Sequence, residues 1–171
     1  GSDGEFRVSN GTVQINNEAR IGENGTGVLR LGGTAQLTDN GSLMIGYGAS
    51  GQGTAYMSDS AVLTVNGGVM RVGDAGAGTL NMTGGTINTA NWFVIGQGGS
   101  QTSTVNMSGG TLNVNTNGGG ERLQISVWDT ARGVMNVSGT AQVNVNASSI
   151  QVGGDHAGAS GTLTLADSAV V

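Results

Sequence analysis

Apolar and polar residues alternate in short bursts along this chain, and the bursts return. Leu29-Arg30-Leu31, Leu80-Asn81-Met82, Val105-Asn106-Met107, Met135-Asn136-Val137 and Leu163-Thr164-Leu165 are each followed by small or polar residues. A second phrase, Leu43-Met44-Ile45-Gly46, comes back as Met70-Arg71-Val72-Gly73, Phe93-Val94-Ile95-Gly96 and Ile150-Gln151-Val152-Gly153. Alternation over three residues, bounded by Gly and Asn, predicts short strands. Its recurrence over tens of residues predicts one solenoid turn per repeat.

Gly22, Gly46, Gly73, Gly96 and Gly153 hold the same place in the pattern, with Ser126 standing where one coil should have its glycine. The intervals are 24, 27, 23, 30 and 27 residues, enough for three strands and three turns. Turns absorb the variation at little cost. The fold class expected is therefore all-β, a parallel β-helix of about six coils with three short strands per coil.

Side chains alternate across a strand, so each phrase predicts an inward stack. For the first strand this is Leu29/Leu31, Ala55/Met57, Leu80/Met82, Val105/Met107, Met135/Val137 and Leu163/Leu165. The third strand stacks Ala19/Ile21, Leu43/Ile45, Met70/Val72, Phe93/Ile95, Leu123/Ile125 and Ile150/Val152, with Arg20, Met44, Arg71, Val94, Gln124 and Gln151 outward. The second is less regular: Ala35/Leu37, Leu63/Val65, Ile87/Thr89, Leu112/Val114 and Val143/Val145 imply a register slipping by about one residue between coils. Asn40, Asn66, Asn91 and Asn146 precede third strands and are expected to stack amide on amide or bond to turn backbone. At roughly 4.8 Å per coil the rod is about 30 Å long.

Composition agrees with a narrow core. The 171 residues include 34 Gly, no Pro and only 4% aromatics. Six Arg and no Lys against eleven acids leave a net charge of -5. That balance argues against a nucleic-acid partner, whose phosphates need a cationic face. Without Cys there are no disulfides or thiolate metal sites, and no apolar run reaches membrane-spanning length. Residues 1–171 form one expected domain, 1–18 being an N-terminal cap with Phe6 and Val8 as its apolar contacts. Gly1-Ser2 reads as a cleavage scar. The stop at Ala169-Val170-Val171, partway through a phrase, leads us to expect a domain cut from a longer, secreted or cell-surface protein.

Catalysis on such a rod needs acids or a base at neighbouring outward positions. The outward columns of the first and third strands supply none, and Asp39, Asp59, Asp74, Asp129, Asp155 and Asp167 fall mostly in turns at different corners. The expectation is a non-enzyme. No cofactor is called for, and Asp74 or Asp155 under a turn keeps calcium open as an alternative. Aromatics are the better lead because they are few. Trp92 precedes a third strand, Trp128 follows another, Tyr47 follows Gly46 at a similar corner, and Tyr56 is outward on a strand. An exposed indole or phenol gives a flat apolar face for a sugar ring. The coil of Trp128 is also the irregular one, with the insertion Asn117 to Arg122 and the charged run Ser126 to Arg132. A shallow groove of Trp128, Asp129, Arg132, Gln101, Asp155 and His156 is the expected ligand site, with Trp92, Tyr47 and Tyr56 as alternatives.

Phrases such as Gly78-Thr79-Leu80-Asn81-Met82-Thr83-Gly84-Gly85-Thr86-Ile87 and Thr104-Val105-Asn106-Met107-Ser108-Gly109-Gly110-Thr111-Leu112 resemble the Gly/Asn-rich β-helical repeats of exported bacterial proteins, including autotransporter-like passenger regions. The chain is also similar to the right-handed parallel β-helical carbohydrate-binding modules that accompany xylan-degrading enzymes. That resemblance implies a right-handed coil and a non-catalytic module. It also implies a neutral plant polysaccharide such as xylan as ligand and covalent attachment to a larger glycoside hydrolase. The passenger-like resemblance implies instead a structural or adhesive segment.

Overall fold

A computed structural model describes residues 1–114, 117, 122–128, 130–146, 149–154 and 156–171. The chain winds as a parallel β-solenoid with three strands per coil. The first coil is β1 (Asp3–Val8), β2 (Thr12–Ile15) and β3 (Ala19–Ile21), and the second β4 (Thr26–Leu31), β5 (Gln36–Asp39) and β6 (Leu43–Ile45). The third and fourth are β7 (Gln52–Met57), β8 (Val62–Val65), β9 (Met70–Val72), then β10 (Ala77–Met82), β11 (Thr86–Thr89), β12 (Phe93–Ile95). The fifth and sixth are β13 (Thr102–Met107), β14 (Thr111–Val114), β15 (Arg122–Ile125), then β16 (Arg132–Val137), β17 (Gln142–Val145), β18 (Ser149–Val152). A last strand, β19 (Ser160–Leu165), begins a seventh coil.

Like strands lie over like, giving one seven-stranded and two six-stranded parallel sheets. The expected stacks are the observed ones in the first sheet, where Leu29, Ala55, Leu80, Val105, Met135 and Leu163 share one register. The third sheet likewise stacks Ile21, Ile45, Val72, Ile95, Ile125 and Val152. These side chains fill the lumen, and Phe93 is fully buried among them. Burial of apolar surface in this continuous column is the main stabilising contribution.

Three expectations are corrected. Residues 1–18, expected as the cap, carry β1 and β2, with Phe6 paired to Leu29 and Val8 to Leu31, but the outward positions of these strands are not free of acids. Their outward column carries the acids Asp3 and Glu5. Glu5 accepts hydrogen bonds from Arg7 Nη2 (2.8 Å) and Arg30 Nε (2.9 Å), and the Arg7 contact holds its carboxyl below the usual range.

The second sheet, moreover, does not slip. Leu37, Leu63, Ile87, Leu112 and Val143 form one unbroken column, and Asp39, Val65, Thr89, Val114 and Val145 form the next. The inward pair of β5 is therefore Leu37/Asp39, and Ala35 is buried in the preceding turn. A carboxylate at an apolar position disguised the register. Asp39 lies within the core rather than in a turn, its Oδ1 accepting the Gly41 N–H at 2.8 Å.

Finally, outward does not mean exposed in the third sheet. Met44, Val94 and Gln124 are all buried.

Asparagine amides tie the coils together outside the core. Asn66 Nδ2 donates to Asn40 Oδ1 (3.4 Å) and Asn91 Nδ2 to Gly67 O (3.1 Å), as expected at the entrance to the third strands. Two further ladders run up the outer faces, Asn81–Asn106–Asn136 on the first sheet and Asn88–Asn113–Asn144 on the second. Corner acids do similar structural work: Asp59 Oδ2 accepts the Gly33 N–H at 2.8 Å and Asp167 Oδ2 the Gly139 N–H at 3.0 Å.

Corner geometry explains the recurring glycine. Gly46 sits at φ +78°, and a Cβ there would lie 2.1 Å from Ala77 O of the next coil. At Gly96 the equivalent clearance, to Arg132 O, has widened to 2.9 Å. One coil on, Ser126 takes the same left-handed conformation at φ 69°. That corner leads into Trp128.

Candidate aromatic groove on the third sheet

The outward column of the third sheet runs Arg20, Met44, Arg71, Val94, Gln124, Gln151 in continuous register. Two of its positions are apolar, Met44 and Val94 on either side of Arg71, where the first sheet carries Asn and Thr outward. Strands apolar on both faces belong under a cover. Here the cover comes from residues flanking the strands on either side. Val69 and Trp92 precede β9 and β12, while Gln97 and the pair Val127 and Trp128 follow β12 and β15. Together with Arg71, Val94 and Gln124 they line a groove of about 220 Å³.

Two indoles thus meet in one depression although 36 positions separate them in the chain. Trp92 is half-buried and carries the Arg122 guanidinium 5.4 Å from its ring centre. Trp128 is 46% exposed, and its backbone N–H donates to Gln97 O (2.9 Å). The turn holding it is closed by Ala131 N–H to Trp128 O (3.0 Å) and by Ser126 Oγ to Ala131 O (2.8 Å).

The cations beside the groove hydrogen-bond to neutral side chains, and Arg122 Nε is buried without a hydrogen-bond partner among the described residues. Arg71 donates through Nε to Gln97 Oε1 and through Nη1 to Met44 Sδ (3.7 Å). Arg122 Nη1 donates to Gln151 Oε1 at 3.2 Å. Farther along the face, Arg20 pairs with Glu18 and Glu23 and stacks on Tyr47 at 4.1 Å. Asp74 is half-buried in the corner column between Tyr47 and Gln97. Burial pushes its carboxyl up, against the pull of Arg71 and Arg20.

Of the expected site residues, the groove unites Trp128 with Trp92 and leaves out Gln101, Arg132 and His156. Gln101 and Arg132 are exposed at the start of first-sheet strands, and His156 is exposed in the turn before β19. Asp129 and Asp155 lie outside the described residues, as do residues 118–121 of the insertion. Tyr47 does not share Trp128's position: its column continues through Asp74 and Gln97 to Val127, and Trp128 follows Gly98. Tyr56, outward on the first sheet, stacks under Arg30 at 4.1 Å. Val94, Val69, Val127, Gln97 and Gln124 were not anticipated as site residues. The signal available for them was the loss of alternation in Leu43-Met44-Ile45 and Phe93-Val94-Ile95.

Among the described residues no three His, Cys, Asp or Glu side chains gather as a metal site, and no helix is long and apolar enough to cross a membrane. No family model matches the chain, and neither a curated protein nor a solved structure matches it.

Proposed function

We propose that the chain is a non-catalytic carbohydrate-binding module whose ligand is a neutral plant cell-wall polysaccharide such as xylan. The observation that carries this reading is the pairing of Trp92 and Trp128 in one groove over a floor containing Val94. Indole faces stack on the C–H faces of sugar rings, and their N–H edges remain wet. The net charge of -5 favours an uncharged chain over a uronate polymer. A shallow site of this size supports weak binding, with a Kd of roughly 10 µM to 1 mM. Secretion and attachment to a larger glycoside hydrolase belong to the same proposal.

Calorimetric titration with soluble xylan, glucan, mannan and polygalacturonate tests it. Saturable heat with a neutral polysaccharide, little changed by salt and lost in Trp128→Ala, is the expected result. Unchanged binding in that variant would remove the groove from the account, and no binding to any of the four would remove the function.

A structural or adhesive segment is the second reading. The continuous parallel sheets and the outer asparagine ladders of a rigid rod suit that role. It predicts no heat with any soluble glycan and concentration-dependent self-association.

A further inference from the structure

Gln124 is the buried polar side chain in the wall of the aromatic groove, only 1% exposed. Its Nε2 donates to Gln151 Oε1 at 2.7 Å. No donor among the described residues reaches its Oε1. A buried amide oxygen without a hydrogen is costly to the fold, and such atoms call for an explanation.

The polarity of this amide is dictated by its neighbours. A guanidinium can only donate, so the Gln151 atom facing Arg122 Nη1 must be the oxygen. That oxygen in turn requires a donor from Gln124, so Nε2 faces Gln151. Turning the Gln124 amide over would set two oxygens against each other. Arg122 is itself held over the Trp92 ring, which anchors the relay to the groove's own wall. The chain Arg122, Gln151, Gln124 therefore fixes the orientation of an acceptor within the groove's lining; Oε1 itself is covered in the free chain, and a sugar hydroxyl reaches it by displacing that cover.

We infer that Gln124 Oε1 is the specificity-determining acceptor of the groove, taking a hydrogen from one ring hydroxyl of a single sugar unit seated against Trp92 and Trp128. This rests on the carbohydrate-binding reading and sharpens it. A volume of about 220 Å³ falls below the roughly 300–1,000 Å³ usual for small-molecule sites, so it suits one ring rather than several. Stacking alone tolerates any flat apolar face. An acceptor left unpaired by the wrong ligand discriminates sharply between rings that carry the hydroxyl and rings that do not.

The test uses the full chain and xylotetraose, with melting curves on each protein. Gln124→Met keeps the length of the side chain and removes the acceptor. Affinity is expected to fall about tenfold or more, the worth of one buried hydrogen bond, with the melting temperature kept. A second arm leaves the protein unchanged: methyl β-xyloside is compared with its monodeoxy analogues on the wild type. One analogue should lose about tenfold on the wild type and, if the variant folds, lose nothing further on Gln124→Met. Wild-type binding of xylotetraose with no loss in Gln124→Met, or with all deoxy analogues bound equally, overturns the acceptor role while the groove stands. Failure of the wild type to bind any xyloside, or xylotetraose binding that survives Trp128→Ala, overturns both.

Discussion

Ser126 Oγ donates to Ala131 O at 2.8 Å, closing from within the turn that carries Trp128. Its backbone holds the left-handed conformation that glycine occupies at Gly22, Gly46, Gly73, Gly96 and Gly153. The hydrogen bond and the strained φ oppose one another. Ser126→Ala keeps the strain and loses the bond, so it should destabilise by about 1 kcal/mol. Ser126→Gly loses the bond and relieves a left-handed penalty of about 1–2 kcal/mol, leaving it near the wild type or slightly above. Urea unfolding of the three proteins checks the order. An alanine variant as stable as the wild type would show that the turn does not depend on this contact.

The outer ladders should matter to stability and not to binding. Asn113 donates to Asn88 Oδ1 and accepts from Asn144 Nδ2, both at 2.8 Å, on the second sheet and away from the indoles. Asn113→Ala removes both bonds and is expected to cost about 1–2 kcal/mol while xylan affinity stays within twofold. Denaturation and calorimetry on the same sample separate the two effects.

A buried carboxylate in the lumen makes stability depend on pH. Burial pushes Asp39 above its ordinary 3.8, the Gly41 N–H offsets part of that, and Glu18 adds to it. The native state therefore holds this proton more tightly than the unfolded chain does. Between the ordinary and the raised value the native state binds more protons, so this contribution falls as pH rises, and the penalty is complete above the raised value. Asp39→Asn abolishes it while an Oδ1 can still accept from Gly41. The difference in melting temperature between variant and wild type should be small near pH 4 and should grow in the variant's favour toward neutrality. A difference independent of pH would mean that Asp39 is not desolvated as the packing implies.

The two indoles should separate by their second roles. Trp128, half in solvent, can be removed at little cost to the fold. Trp92 also supports Arg122, whose guanidinium sits 5.4 Å from its ring centre. Trp128→Ala is expected to lose at least tenfold in affinity with its melting temperature unchanged. Trp92→Ala should lose comparable affinity and also about 1 kcal/mol of stability. Equal melting temperatures for the two variants would argue against the Arg122 contact.

The coils were legible in the sequence because each strand repeats its own inward residues and each corner repeats its glycine. The second sheet was misread at Asp39, where a carboxylate stands in an apolar column and moves the apparent register onto Ala35. The candidate site was half legible. Trp128 and Trp92 drew attention through the scarcity of aromatics, but nothing in linear order joins a residue before one strand to a residue after the next. The sequence therefore groups Trp128 with polar and charged residues of its own corner and of the corners above and below, Gln101 and Asp155-His156, whereas the groove reaches across the sheet to Trp92. The apolar outward residues Met44 and Val94 were the overlooked clue. A face that breaks polar alternation is a face that something covers.

With only two tryptophans in the chain, the indole N–H resonances of a nitrogen-15 spectrum report directly on the groove. On titration with xylotetraose both signals should shift saturably along one binding curve, while Asn113 and its ladder stay still. Sugar binding that leaves both indoles unmoved, or a titration in which no neutral oligosaccharide moves either, would contradict the account at its centre.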